Sequence, residues 1–270
     1  MQLDEKIELS GWERLCGIGW LRKTAVVAAL AALWQIYAMW LDNALMFPTF
    51  GDTVKAFFSA IASGELPSRT VNSLRMLLLA YAIGAAAAIA LTIVAIGTRI
   101  GNDILEVLVA MLNPLAPVAL LPLALLWFGL GAPSIVFVLI HAVLWALTLN
   151  IYSGFTGVSQ TLRMVGRNYG LKGLKFVFLI LIPAALPSIL TGLKVSWAFG
   201  WRTLIAAELV FGVSSGSGGI GWFIFEKKNQ LDIDLVFAGL LTVIIIGILV
   251  ENVLFKTIEK RTVQKWGMRH

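Results

Sequence analysis

The chain has 270 residues, 59% of them apolar and 13% charged, and its mean hydropathy is +0.87. A soluble domain carries roughly 45–50% apolar and about 25% charged residues, so this composition excludes a soluble fold and makes lipid the solvent. The single Cys16 excludes an internal disulfide or a cysteine metal cluster, and the net charge of +6 is spread over loops and ends rather than gathered for nucleic acid.

Residues 1–23 carry both charge signs, and the apolar run that follows has no small-x-small cleavage site at its end, so they do not read as a cleaved signal. Leu9, Trp12, Cys16 and Trp20 recur at three- and four-residue spacing. That pattern predicts an interfacial helix on the inner membrane face, with a frayed tail as the alternative. Runs able to cross a bilayer, about 20 residues each, follow at 24–41, 75–97, 104–128, 134–157, 188–212 and 235–255. They predict an all-α integral membrane protein with six transmembrane helices over 24–258, closed by a basic tail at 259–270. No internal repeat or second domain is visible.

In the third run, Pro114, Pro117 and Pro122 follow Asn113. Prolines free carbonyls and kink helices, which suits a path lining or gate; plain curvature is the alternative. The fourth run holds His141, read as packed and hydrogen-bonded or as a path residue, and Asn150, expected to bond across helices. Between the fourth and fifth runs lies a polar insert, 159–178. On a helix through 161–169, Leu162, Val165 and Tyr169 share one side and Arg163 and Arg167 the other. Gly170 permits a sharp turn, and Lys172 and Lys175 lead back towards Pro183 and Pro187. Such a helix can dock into a cleft of another protein and transmit its motion; an ordinary basic loop is the alternative.

The fifth run places Lys194, Trp201 and Glu208 on one stripe at seven-residue spacing, flanked by Trp197 and Arg202. An ionisable stripe at that depth should face a partner or a path, not lipid. Arg202, near the middle, suits a planar oxyanion or a sulfonate; an ion pair with Glu208 or Glu106 is the alternative. Lys194 reads as snorkelling towards the inner surface rather than touching a solute. The stretch SSGSGGIG (214–221) lacks the lysine of a phosphate loop and reads as a flexible external turn.

Orientation follows from the basic residues. With the N-terminus cytoplasmic, the inside set is Lys6, Arg14, Arg22, Lys23, Arg99, Arg163, Arg167, Lys172, Lys175, Lys256, Lys260, Arg261, Lys265 and Arg269. The outside set is only Lys55, Arg69, Lys227 and Lys228, so both termini and the insert are expected inside. The same rule accounts for the basic tail without nucleic acid. A membrane-embedded enzyme needs paired acids, a Ser/His pair or metal ligands in the spans, and the chain's two histidines are His141 and the terminal His270. An ion-coupled carrier would ordinarily show repeated halves or paired broken spans. No catalytic residue or metal ligand is assigned.

The insert resembles the cytoplasmic signature of binding-protein-dependent ABC importer permeases: Glu-Ala-Ala, three residues, Gly, nine residues, then Ile-x-Leu-Pro. Here Met164, Val165 and Gly166 stand at the first three positions, Gly170 at the glycine, and Ile180 to Pro183 at the end. MFPTFGDTV (46–54), NSLRMLLLAYAIG (72–84), NPLAPVALLPLALLWFGLG (113–131), PAALPSILTGLKVSWAFGWRTLIAAELV (183–210) and the tail at 234–266 are similar to the nitrate/sulfonate/taurine/bicarbonate branch. The chain departs from that branch at Asn113, Ala116, Ala146 and Arg202, and Met164 replaces the signature glutamate.

The resemblance implies a permease subunit, not an enzyme, in the bacterial cytoplasmic (inner) membrane. Its expected partners are a second permease copy, most simply a homodimer, two cytoplasmic P-loop ATPases and a periplasmic or lipoprotein solute-binding protein. ATP and Mg belong to the ATPases, and this chain carries no cofactor. ATPase coupling is expected at Arg163, Met164, Val165, Gly166, Arg167, Gly170, Lys172, Lys175 and Pro183. The translocation path or gate is expected at Asn113, Pro117, His141, Asn150, Lys194, Trp197, Trp201, Arg202 and Glu208, the last matching the family's Ala-Ala-Glu. A small anion is expected as solute: sulfonate, nitrate, bicarbonate or aromatic carboxylate.

Overall fold

A computed structural model describes residues 19–211 and 218–262. The predicted interfacial helix at Leu9, Trp12 and Cys16, the first half of the glycine-rich stretch and residues 263–270 lie outside these. Helix α1 (Gly19–Leu41) is apolar all round and mostly exposed, as a lipid-facing helix is. Trp20 is continuous with the first span.

Helix α2 (Phe50–Ala62) was not expected. Its start is fixed locally: the Thr49 hydroxyl accepts from the Asp52 amide at 3.1 Å and donates to the Asp52 carboxylate at 2.7 Å. This is a variant of the capping box. That hydroxyl holds the Asp52 carboxyl below the usual carboxylate range, with Lys55 adding to the effect. Trp34 and Gln35 of α1 hold the turn before α2 and its first residues, through the Pro48 carbonyl at 3.0 Å and the Gly51 amide at 3.2 Å.

Helix α3 (Glu65–Ile96) starts ten residues before the predicted second span. Its buried positions, Leu66, Ser73, Leu77, Ala80, Gly84, Ala88, Thr92 and Ala95, recur every three, four or seven residues and form one face. The third apolar run is not one helix. Helix α4 (Arg99–Leu112) stops before Pro114, a 3₁₀ turn (Pro117–Leu120) follows, and α5 (Leu121–Phe128) leaves at 89° to α4. Curvature alone bends helices gently; a break this sharp belongs to the missing proline donors.

Helix α6 (Ala132–Thr156) is the buried centre of the bundle, with Leu139, Val143 and Leu147 wholly covered. It packs on α3 and on α8 (Ile182–Phe211). The seam with α8 is closed by glycines: a Cβ at Gly154 would lie 2.6 Å from that of Ser188, and one at Gly192 2.6 Å from that of Asn150. Small residues let helices approach closely where apolar burial alone gives no drive.

The insert forms α7 (Gln160–Asn168), followed by a helical lead-in, Gly173–Phe176, and a π-helical turn, Val177–Leu181, that runs into α8. After α8 comes a short helix, α9 (Ile220–Asn229), which takes in the last two residues of the glycine-rich stretch. Helix α10 (Ile233–Leu249) passes through a second π turn, Val250–Phe255, into α11 (Lys256–Arg261). Five helices are long and apolar enough to cross a membrane, and the bent α4–α5 pair makes a sixth when taken as one span. The architecture is that of an all-α membrane protein. The insert sits at one end of the bundle; α2 and α9 sit at the other.

Candidate functional site

At the insert end, short-range bonds define α7. The Ser159 hydroxyl accepts from the Leu162 amide at 3.4 Å, as an N-cap does. At the far end, the Leu171 amide donates to the Gly166 carbonyl at 3.0 Å and the Gly170 amide to the Arg167 carbonyl at 2.9 Å, with Gly170 at φ 73°. This is a Schellman stop, and its left-handed residue favours glycine. Gly166 is buried: a Cβ there would lie 2.9 Å from the side chains of both Ile180 and Phe176. Pro183 stands in the first turn of α8, just after the π turn. It lacks the N–H that would reach back to Leu179, a cause of local widening.

The predicted coupling residues therefore divide. Arg163 points inward, donating to the carbonyls of Phe155 and Val158 and so closing the end of α6. Met164, Val165, Arg167, Gly170, Lys172 and Lys175 are exposed. Leu162, Val165 and Tyr169 present an uncovered apolar strip, Tyr169 being 82% exposed.

At the opposite end, three stretches distant in sequence meet at Glu208, which is 3% exposed. The Ser73 hydroxyl, on α3, reaches both carboxylate oxygens at 2.8 and 2.9 Å and accepts from the Ile220 amide at 2.9 Å. The Gly221 amide donates to the carboxylate at 2.8 Å. These two amides open α9, so α9 takes its N-terminal cap from two other helices. Gly219 lies against the carboxylate, leaving no room for a Cβ between Glu208 and Ser73. Ion pairs Arg69–Glu226 (3.0 Å) and Lys227–Glu65 (3.5 Å) bind the rest of α9 to α3. Gly218–Gly221, the described half of the glycine-rich stretch, is held against α3 and α8 by the Glu208 carboxyl group and Ser73.

The predicted stripe on α8 does not share one surface. Trp197, Trp201 and Glu208 are buried inside the protomer, Trp197 against Tyr81, so they do not line an open face. Lys194 does not snorkel alone; it pairs with Glu251 of the second π turn at 2.8 Å. Arg202 is exposed and makes no hydrogen bond or ion pair among the described residues, so the pairing with Glu208 or Glu106 is not formed. Below it on the same side lie Thr191 and Ser188, which with Asn150, Ser153 and Pro187 enclose a groove of about 190 Å³. Asn150 donates at 2.8 Å to the Ala146 carbonyl of its own helix, not across helices. His141 is packed edgewise near Trp145, but neither ring nitrogen has a hydrogen-bond partner, contrary to expectation. Asn113 is exposed at the α4–α5 break, and Pro117 opens its 3₁₀ turn.

Ser73, Arg69, Gly221 and Glu226 escaped the sequence reading. The Ser-Leu-Arg start and the Ala-Ala-Glu were both recognised, but nothing in either says that they touch across 135 positions.

Residues 83–264, more than half of the chain, match the family described as binding-protein-dependent transport system inner membrane component. A nitrate import permease protein of Synechocystis is 29% identical over 239 residues, covering 86% of each chain. A putative aliphatic sulfonates transport permease protein of Escherichia coli is 28% identical over 237 residues, covering 86% of this chain and 88% of that one. A putative ABC transporter permease protein of Methanocaldococcus jannaschii is 28% identical over 234 residues, covering 85% of this chain and 86% of its own. These relatives are named as transport permeases rather than enzymes or ion-coupled carriers. The chain therefore belongs to the inner-membrane component family of binding-protein-dependent transport systems, as a multi-pass permease subunit of an ABC importer.

Proposed function

We propose that two copies of this chain form the path of an importer for a small oxyanion, with both termini and α7 in the cytoplasm. Two P-loop ATPases, which hold ATP and Mg, dock on α7 of each copy, and a separate solute-binding protein delivers the solute to the α9 end. The observation that carries this reading is α7: a short helix, capped at both ends, with an uncovered strip of Leu162, Val165 and Tyr169. A capped helix moves as a rigid body, and an apolar strip suits a cleft in a partner. Arg163 and Gly166 act as positioning residues that join α7 to α6 and to the lead-in of α8.

For the solute, Arg202 is the residue of choice. A guanidinium inside a span, with no counter-ion among the described residues, must face water, solute or a partner. The relatives' names, nitrate and aliphatic sulfonates, fit a small anion; bicarbonate and aromatic carboxylates share the chemistry. Glu208 acts through α9, as a positioning residue, and does not touch the solute.

The test begins with the tagged chain extracted gently from its membrane. An ATPase should be recovered at equal ratio and lost in Leu162→Asp/Tyr169→Asp, which alters only exposed residues. Recovery of the chain alone, or an ATPase indifferent to that variant, would overturn the docking assignment. Uptake of labelled nitrate and sulfonates should disappear in Arg202→Ala with the complex intact; normal uptake would remove Arg202 from the path.

A further inference from the structure

Beside α7 lies a cleft of about 600 Å³, on the flank that carries Arg163 and Arg167. The uncovered strip of Leu162, Val165 and Tyr169 is on the other side of the helix, so the cleft is not part of that docking face. Its walls are apolar: Ile93 and Ile96 from the last turns of α3, Leu174 and Val177 from the approach to α8. These belong to the ends of helices long enough to cross the membrane, which puts the walls at the level where acyl chains meet headgroups.

The rim is cationic. Arg163 is committed to the carbonyls that end α6. Arg167 and Lys172 are exposed, and their side chains have no hydrogen bond or ion pair among the described residues. Two uncommitted cations above an apolar slot at a membrane surface match a phosphodiester headgroup with its acyl chain below. An acidic protein segment would answer the charges but leave the apolar walls uncovered.

We propose that this cleft binds an anionic phospholipid, its phosphate held between Arg167 and Lys172 and an acyl chain laid along Ile93, Ile96 and Val177. The lipid would pack against the rear of α7, so that membrane composition sets the stiffness of the element that partners move. Under the proposed function this is the inner leaflet, and the proposal rests on that placement only for the choice of leaflet.

The experiment uses the complete permease–ATPase complex, delipidated in detergent and examined by native mass spectrometry. Phosphatidylglycerol, phosphatidylcholine and inorganic phosphate are the added probes. Phosphatidylglycerol should be retained, and neither of the other two should displace it. Arg167→Gln/Lys172→Gln should weaken retention about tenfold, read on the ions that carry the ATPase. Ile96→Trp, which fills the slot and leaves the charges alone, should weaken it as well. Parent-level retention in both variants would overturn the proposal. So would displacement by inorganic phosphate, which would make the cleft a bare anion site. Retention by the permease stripped of its ATPase but not by the complete complex would give the cleft to the protein partner and overturn the proposal. The leaflet is tested separately, by labelling Tyr169→Cys in a Cys16→Ser background from each side of the membrane. Labelling from outside would sink the topology and leave lipid retention as measured.

Discussion

The two ends of the bundle begin a short helix in opposite ways. At the insert end α7 is capped by its own neighbours in sequence, Ser159 before it and Gly170 after it. At the other end α9 has no side-chain cap of its own and borrows one from Ser73 and Glu208, on two different helices. A locally capped helix keeps its shape when its surroundings shift. A remotely capped one stays folded only while the elements that cap it stay together. The contrast separates a helix complete in itself from one that depends on α3 and α8 staying in register.

The comparison can be broken from either side, and the largest effect is expected at Glu208. Glu208→Ala leaves the Gly221 amide and the Ser73 hydroxyl buried without their acceptor, at about 1–3 kcal/mol for each group. Gly219→Ala forces the same network apart from the other side. Either variant should lower the melting temperature of the purified chain and release α9 to rapid amide exchange. Ser73→Ala combined with Glu208→Ala should cost clearly less than the sum of the two; additivity would mean that the groups act independently and the shared cap does not exist.

Gly170→Ala comes next. Its left-handed backbone costs an L-residue roughly 1–2 kcal/mol. The expected result is faster amide exchange in α7 with α9 unchanged, and a global loss of stability would refute local capping. Ser159→Ala should cost about 1 kcal/mol and fray only the first turn of α7.

The smallest effect tests whether local capping also works at the α9 end, where α2 starts on Thr49 and Asp52. The folded Asp52 carboxyl titrates below its ordinary value because the Thr49 hydroxyl favours the charged form. A depressed acid stabilises above its unfolded pKa, about 3.9, and the contribution is lost as pH falls through the lower folded value. Protection of α2 should therefore hold at neutral pH and decline only in strong acid, and Thr49→Ala should move that decline to higher pH. A decline unchanged by Thr49→Ala would refute the cap.

What could be read from the sequence followed the same divide. The turn at Gly170 and the amphipathic face of α7 are short-range patterns, and each appeared where the spacing put it, whereas of the apolar runs the second began earlier and the third broke in two. The start of α2 is legible too, since Thr49 and Asp52 stand at capping-box spacing, although a helix of 13 residues does not show among runs able to span a bilayer. The break after Leu112 was signalled by Pro114 and Pro117, although prolines alone do not distinguish a bend from an 89° turn. Contacts over distance stayed hidden. Helical spacing put Lys194, Trp201 and Glu208 on a common stripe, yet it carries no information about which neighbour each side chain meets. One found Glu251, one the core and one Ser73.

The carboxylate at the α9 end also constrains the history of the sequence. Ser73, Glu208, Gly219 and Gly221 occupy one small volume, and no member can change size or charge without stranding the others. Such a quartet is expected to change only as a unit, since altering one member leaves the others without their partners. The exposed positions of α7, by contrast, belong to no such network and can change one residue at a time. In a library of random variants, survivors should show strong epistasis among those four positions and nearly none among Leu162, Met164 and Tyr169, so the surface of α7 can be rewritten far more readily than the clasp around Glu208.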